Sequence, residues 1–153
     1  MTVTLEVTVT CSPAVYKNQH RFDLARRELA ERIRLHPQNT FAPLIQLGVL
    51  ARHEGQPESE QHFRDALAQW EQAWHDRYQS KFDLLSGKAI ALLCLGQKED
   101  ALQTLAEAIR HMLPGDVIDF DDYELLQSAP QPPEGIEEMI ALLKEAQAAQ
   151  DEA

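Results

Sequence analysis

Three segments of the chain carry small and large side chains in the same order and at the same spacing. They are Ala25-x3-Leu29-x2-Arg32, Ser59-x3-Phe63-x2-Ala66 and Ala101-x3-Leu105-x2-Ala108, and in two of the three the last position is again small. Residues three and four apart share one face of a helix. A small residue lets a neighbouring helix approach closely and the large one fills the space beside it, so the pattern specifies helices packed in pairs. Breakers frame the segments. Gly55-Gln56 and Gly96-Gln97 precede the second and third, and Pro37 and Pro114 follow the first and third. Gly permits a sharp turn between helices and Pro cannot continue one.

Helical periodicity runs through most of the sequence. One helix is predicted over "RFDLARRELAERIRL", stopping at Pro37, and a second over "FAPLIQLGVLARHEG", ending at Gly55. A third is predicted as continuous over "PESEQHFRDALAQWEQAWHDRYQ", with Pro57 in its first turn. A fourth, "SKFDLLSGKAIALLCLG", ends at Gly96, and a fifth occupies "LGQKEDALQTLAEAIRHMLP". Beyond it, "PGDVIDF" reads as a loop, "DDYELLQ" as a short helical turn and "SAPQPPEG" as a linker. In the closing helix, "IEEMIALLKEAQAAQ", Ile136, Met139, Ile140 and Leu143 form one apolar stripe. The opening "MTVTLEVTVT" has a different period: Val3, Leu5, Val7 and Val9 alternate with Thr and Glu6, as in a half-buried strand. At 153 residues the chain suits one domain. Its expected parts are a strand or tail over 1–12, helical repeats over 13–114, an acidic loop, short helix and Pro-rich linker over 115–133, and a capping helix over 134–153.

These residues resemble the tetratricopeptide repeat family, in which each unit is a pair of antiparallel helices. The match is best at Leu85, Ala89, Leu92, Gly96, Ala101, Leu105, Ala108 and Pro114, and fair at Leu47, Gly48, Gly55, Ser59, Phe63 and Ala66. Before these, Ala25, Leu29, Ile33, Pro37 and Asn39 match the second helix of a unit alone, and the signature Trp is absent. The resemblance implies an all-α superhelix of antiparallel helix hairpins, here with a C-terminal capping helix and a short N-terminal strand. A repeat stack leaves an apolar face at each end, which accounts for the cap. Ala66 and Ala108 lie 42 positions apart, against the family unit of about 34 residues. With no Gly or Pro between Pro57 and Gly87, the excess is expected as about one extra turn on each helix, with a tight corner near Asp76 to Ser80. Such units are similar to the longer repeats of kinesin light chains and bacterial peptide-sensing regulators. Trp70, Trp74, Tyr78 and Phe82 fall near that corner and are expected to pack between the lengthened helices.

Charge and chemistry narrow the function. With 25 acidic against 14 basic residues the formal charge is −11, which disfavours nucleic acid and anionic membranes, since binding them relies on clustered cations. The Arg21, Arg26, Arg27, Arg32 and Arg34 cluster is interspersed with Asp23, Glu28 and Glu31, as on a solvated helix face. No apolar run reaches membrane-spanning length and no secretory pattern opens the sequence, so a cytoplasmic location is expected. Cys11 is distant from Cys94, which sits in apolar "ALLCLG" as an inert thiol would. His53, His62, His75 and His111 lack paired metal-ligand spacing, so no metal is expected. The acidic run Asp116, Asp119, Asp121, Asp122 and Glu124 lacks the order of a calcium loop, and Asp121 with Glu124 reads as a helix-start box. No phosphate loop, dinucleotide fingerprint or hydrolase elbow is present. No catalytic residue and no cofactor are therefore expected.

Two classes of function follow. The first, implied by the resemblance, is a non-catalytic module that binds a peptide or protein partner along the first helices of its units. By position the groove residues are Ile45, Val49, Arg52 and His53 in one unit and Asp83, Ser86 and Ile90 in the next. Some family members clamp a peptide's terminal carboxylate with Lys and Asn at comparable sites; Asp83 and Ser86 stand there instead, so that clamp is not expected. The second class is structural: a homodimer formed through the strand of Val3, Leu5, Val7 and Val9, which needs a neighbour for its backbone groups, or a scaffold piece of a larger protein.

Overall fold

In the computed structural model, residues 21–76 and 79–152 are described. They form α1 (Phe22–Leu35), α2 (Phe41–His53), α3 (Ser59–Ala68), α4 (Trp70–Trp74), α5 (Lys81–Cys94), α6 (Lys98–Arg110), α7 (Asp121–Gln127) and α8 (Ile136–Glu152). The described residues are thus all-α. The expected strand with Val3, Leu5, Val7 and Val9, Cys11, and Tyr78 at the corner lie outside the described residues.

Two hairpins, α2–α3 and α5–α6, make up the centre, and each turns by the same device. Gly55 and Gly96 adopt φ of +71° and +86°. In the first turn the Gln56 N–H donates to the Ala51 carbonyl at 2.8 Å and Gly55 N–H to Arg52 at 3.1 Å; in the second, Gln97 donates to Leu92 at 2.9 Å and Gly96 to Leu93 at 3.0 Å. Both are Schellman caps, in which a left-handed residue lets the chain satisfy the last carbonyls and reverse. The Gly-Gln pairs visible in the sequence are therefore structurally equivalent. The stripes they introduce are buried: Ser59, Phe63 and Ala66 in α3, and Ala101, Leu105 and Ala108 in α6. In α1 only Ala25 and Leu29 are buried, packing on Leu50 of α2, while Arg32 is exposed.

The third helix is not continuous, contrary to the sequence expectation. At Gln69 (φ −95°, ψ 2°) the backbone leaves the helix, its N–H bonding the Ala66 carbonyl at 2.9 Å before α4 begins. The break lets Trp70 lie against Phe41 with ring centroids 5.5 Å apart, and Trp74 stacks on Trp70 at 5.3 Å. Lys88 and Lys81 sit over the two indoles, a favourable placement for a cation on an electron-rich ring face. The helices are not lengthened either: α5 has 14 residues and α2 has 13. The additional residues go into α4 and the corner that Ser80 closes, whose Oγ accepts the Asp83 N–H at 3.2 Å and caps α5.

After α6 the chain turns at Pro114 and Gly115 and crosses back, so that α7 packs on α2, and α8 packs on α6 and α7. Ile136, Met139, Ile140 and Leu143, the stripe foreseen for the closing helix, are buried there. The helix-start box does not form as read. Asp121 lies inside α7, and its N–H is received at 2.9 Å by the side chain of Asp119.

Gly48 sets the spacing of the first hairpin. A Cβ at this position would lie 2.6 Å from Phe63 Cε1, and the Phe63 ring is fully buried. Gly48→Ala is expected to cost about 1–3 kcal/mol in urea denaturation, since the ring has no room to retreat; a cost below a few tenths of a kcal/mol would contradict this packing.

Candidate functional site

The face formed by α2 and α5 was expected to be an open groove, and the structure corrects that. Val49 is fully buried, and Ile45 and Ile90 are each 4% exposed. They belong to one core cluster with Ile118, Tyr123 and Leu126, so the chain's own segment after Pro114 covers much of this face. Arg52 and His53 fasten the cover. The Arg52 guanidinium donates from Nε to the Gln131 carbonyl at 3.0 Å and from Nη1 to the Cys94 carbonyl at 3.2 Å. His53 Nδ1 lies 2.9 Å from the Leu125 carbonyl and must donate to it, which fixes the ring tautomer. Both residues hold the fold together and are not free for a partner.

The cover stops short of the N-terminal ends of α2 and α5 and leaves a cleft of about 320 Å³. Phe41, Ile45, Phe82 and Ile90 give it an apolar lining; Val117, Ile118 and Tyr123 wall it on the side of the returning segment. Gln46, Gln79, Asp83, Asp119 and Asp122 supply its polar lining. Four of the seven sequence-predicted groove residues (Ile45, Asp83, Ser86 and Ile90) line this cleft, while Arg52, His53 and Val49 do not.

The electrostatics of the cleft are one-sided. Asp83, Asp116 and Asp119 have no ion-pair partner among the described residues. Asp116 instead accepts the Leu113 N–H at 2.8 Å, and Asp119 accepts that of Asp121. Partial desolvation of the Asp83 carboxyl, whose side chain still reaches solvent, and then the charge of Asp116, push its pKa above the ordinary aspartate value. Because the folded state binds this proton more tightly than the unfolded state, ionisation of Asp83 costs stability above its folded pKa. That cost disappears as pH falls below the ordinary value. Burial also pushes the Tyr123 phenol up, with the neighbouring Ser86 hydroxyl opposing it. Ser86 and Tyr123 do not meet in hydrogen-bond geometry. Ser86, 8% exposed, therefore has a hydroxyl with no hydrogen-bond partner among the described residues.

Other candidate chemistry is weak in this geometry. Burial pushes the Cys94 thiol up to about 12, against a smaller opposing effect of Arg52, so it carries no thiolate at neutral pH. Among the described residues no group of three or more His, Cys, Asp or Glu is placed to hold a metal ion, and no helix is long and apolar enough to cross a membrane. Arg32 and Arg34 face Glu28 and Glu31, and Arg26 pairs with Glu54. Sequence reasoning missed Phe41, Val117, Ile118 and Tyr123. The signal for the last three was the Val-Ile pair followed by Tyr123 and Leu126, an i,i+3 apolar pair in a stretch read only for its acids.

Two measurements check the site. Arg52→Lys keeps the charge but loses the fork that reaches two carbonyls. It is expected to lower stability by about 1–3 kcal/mol in denaturant titration, the scale of hydrogen bonds from a charged donor; an unchanged midpoint would contradict the tether. Carboxyl NMR is expected to show Asp83 titrating above ordinary aspartates and Asp116→Asn bringing it partway down; an Asp83 pKa unmoved by Asp116→Asn would contradict the shared field.

Compared with protein-family models, curated proteins and solved structures, the chain has no match, and its function is inferred from this geometry.

Proposed function

We propose that the chain is a non-catalytic interaction module of the tetratricopeptide-repeat type that receives a segment of a protein partner between α2 and α5. The observation that carries this reading is the cleft at the first-helix positions, apolar in its lining, polar at its edge and left open by a returning segment that covers the rest of the face. The repeat-type reading is supported by the two equivalent Schellman turns and by the small–large–small stripes buried in α3 and α6. The cleft suits holding a ligand: apolar side chains from two helices and the returning segment meet polar Gln and Asp side chains in one lining. An exposed apolar side chain at its mouth, Val117 at 82% exposure, adds surface of the kind that partners cover.

The test is selection of peptides on the full chain followed by affinity measurement on two variants. Ala42→Trp places an indole at the exposed edge of the cleft on α2, and Gln103→Trp places one on α6, away from it. Ala42→Trp is expected to weaken binding at least about tenfold, the loss of one or two good contacts, with circular dichroism and melting unchanged. Gln103→Trp is expected to bind normally. Normal binding by Ala42→Trp, or loss confined to Gln103→Trp, would overturn the assignment.

A further inference from the structure

Resting on that reading, we infer that the cleft selects a basic side chain, Lys or Arg, carried next to an apolar residue in the partner segment. Two independent observations point to it. The first is charge. Asp83 on α5 and Asp119 on the returning segment both line the cleft, and neither has a cation partner among the described residues. The cations nearest in sequence on α5, Lys81 and Lys88, are drawn away to Trp74 and Trp70. Carboxylates at the exposed edge of one cleft, next to apolar side chains and without a cation partner, attract an incoming cation and repel an anion. The second is Ser86. Its hydroxyl lines the same cleft, is more than nine-tenths buried and lacks a partner. A buried polar group left unmade costs about 1–3 kcal/mol, and a ligand donor or acceptor reaching it recovers that cost.

The shape suits a long amphipathic side chain. Lys and Arg bury their methylene stems on apolar surface while the charged head stays at the polar edge. The lining of Phe41, Ile45, Phe82 and Ile90 provides the surface for the stem, and Asp83 and Asp119 provide the edge for the head. At about 320 Å³ the cleft lies at the small end of ligand sites, which run from about 300 to 1,000 Å³. That volume takes one or two side chains, with the remainder of the segment on the surface. Val117, exposed beside the cleft, is positioned for the adjoining apolar residue.

The experiment titrates the full chain, by amide NMR, with synthetic dodecapeptides that share a Leu-X-Leu centre in a Ser-Gly background, X being Lys, Arg, Gln or Glu. The Lys and Arg peptides are expected to shift the Asp83, Ser86 and Tyr123 amides and to bind at least about fivefold more tightly than the Gln peptide, with the Glu peptide weakest. Asp83→Asn with Asp119→Asn, which keeps a side-chain oxygen at 119 to accept the Asp121 N–H, is expected to erase this preference, and Asp83→Lys to reverse it. Ser86→Ala is expected to weaken the Lys peptide a few-fold while leaving the melting temperature unchanged or higher, which a merely structural serine would not do. Equal or tighter binding of the Gln or Glu peptide at the cleft overturns the inference and leaves the interaction module standing. Lys-peptide binding that bypasses the cleft amides, or that survives both Asn changes, also overturns it, as attraction to the net negative charge alone. If no peptide moves the cleft amides, the module reading falls with it.

Discussion

One guanidinium joins three parts of the chain. Arg52, near the C-terminal end of α2, donates to the last turn of α5 and to the Pro-rich linker that leads into α8. At the next residue of the same helix, His53 donates from Nδ1 to the Leu125 carbonyl of the returning segment. Without Arg52 the carbonyls of Cys94 and Gln131 would lose these donors, and native proteins rarely leave such groups unsatisfied. The placement has consequences at both ends of the face. At the Arg52 end α7 and the linker lie down on α2, closing it. At the opposite end, near Phe41 and Phe82, the described residues make no such tether and leave a cleft.

On the proposed reading, binding is confined to a small part of the face formed by α2 and α5. The chain supplies its own occupant for the rest. Ile118, Tyr123 and Leu126 contribute the apolar contacts that a partner would otherwise make, and they fold in the same core as Ile45, Val49 and Ile90. The acidic residues of that segment do two jobs. Asp116 and Asp119 accept backbone N–H groups that shape the loop, and together with Asp83 they keep the open end negatively charged.

Much of the fold was legible because local signals and packing agreed. The Gly-Gln pairs and the Ile136–Met139–Ile140–Leu143 stripe each carry their own geometric requirement, and each became the feature it specified. The break at Gln69 was not legible. No Gly or Pro marks it, and its cause is tertiary: Trp70 and Phe41 meet from segments distant in sequence. The groove residues were half legible for a similar reason. Helical spacing puts Ile45, Val49, Arg52 and His53 on one face, but which part of that face meets water depends on where residues after Pro114 return. Long-range closure of that kind leaves no periodic trace. Cationic Arg52 read as a recognition residue because its two carbonyl acceptors, 42 and 79 positions away, are backbone groups invisible to side-chain patterns.

The segment after Pro114 is part of the folded core and closes much of the face formed by α2 and α5. Native-state hydrogen exchange on the full chain tests this closure most directly, at the Glu124 and Ser128 amides, which α7 pairs with the Phe120 and Glu124 carbonyls at 2.9 and 3.0 Å. A helix this short has no stability of its own in water, so protection there reports docking on α2. Protection of these amides comparable to that of α8 is expected. Exchange at unfolded rates while α5 and α6 remain protected would mean that the face is open along its length, and would rule out this closure.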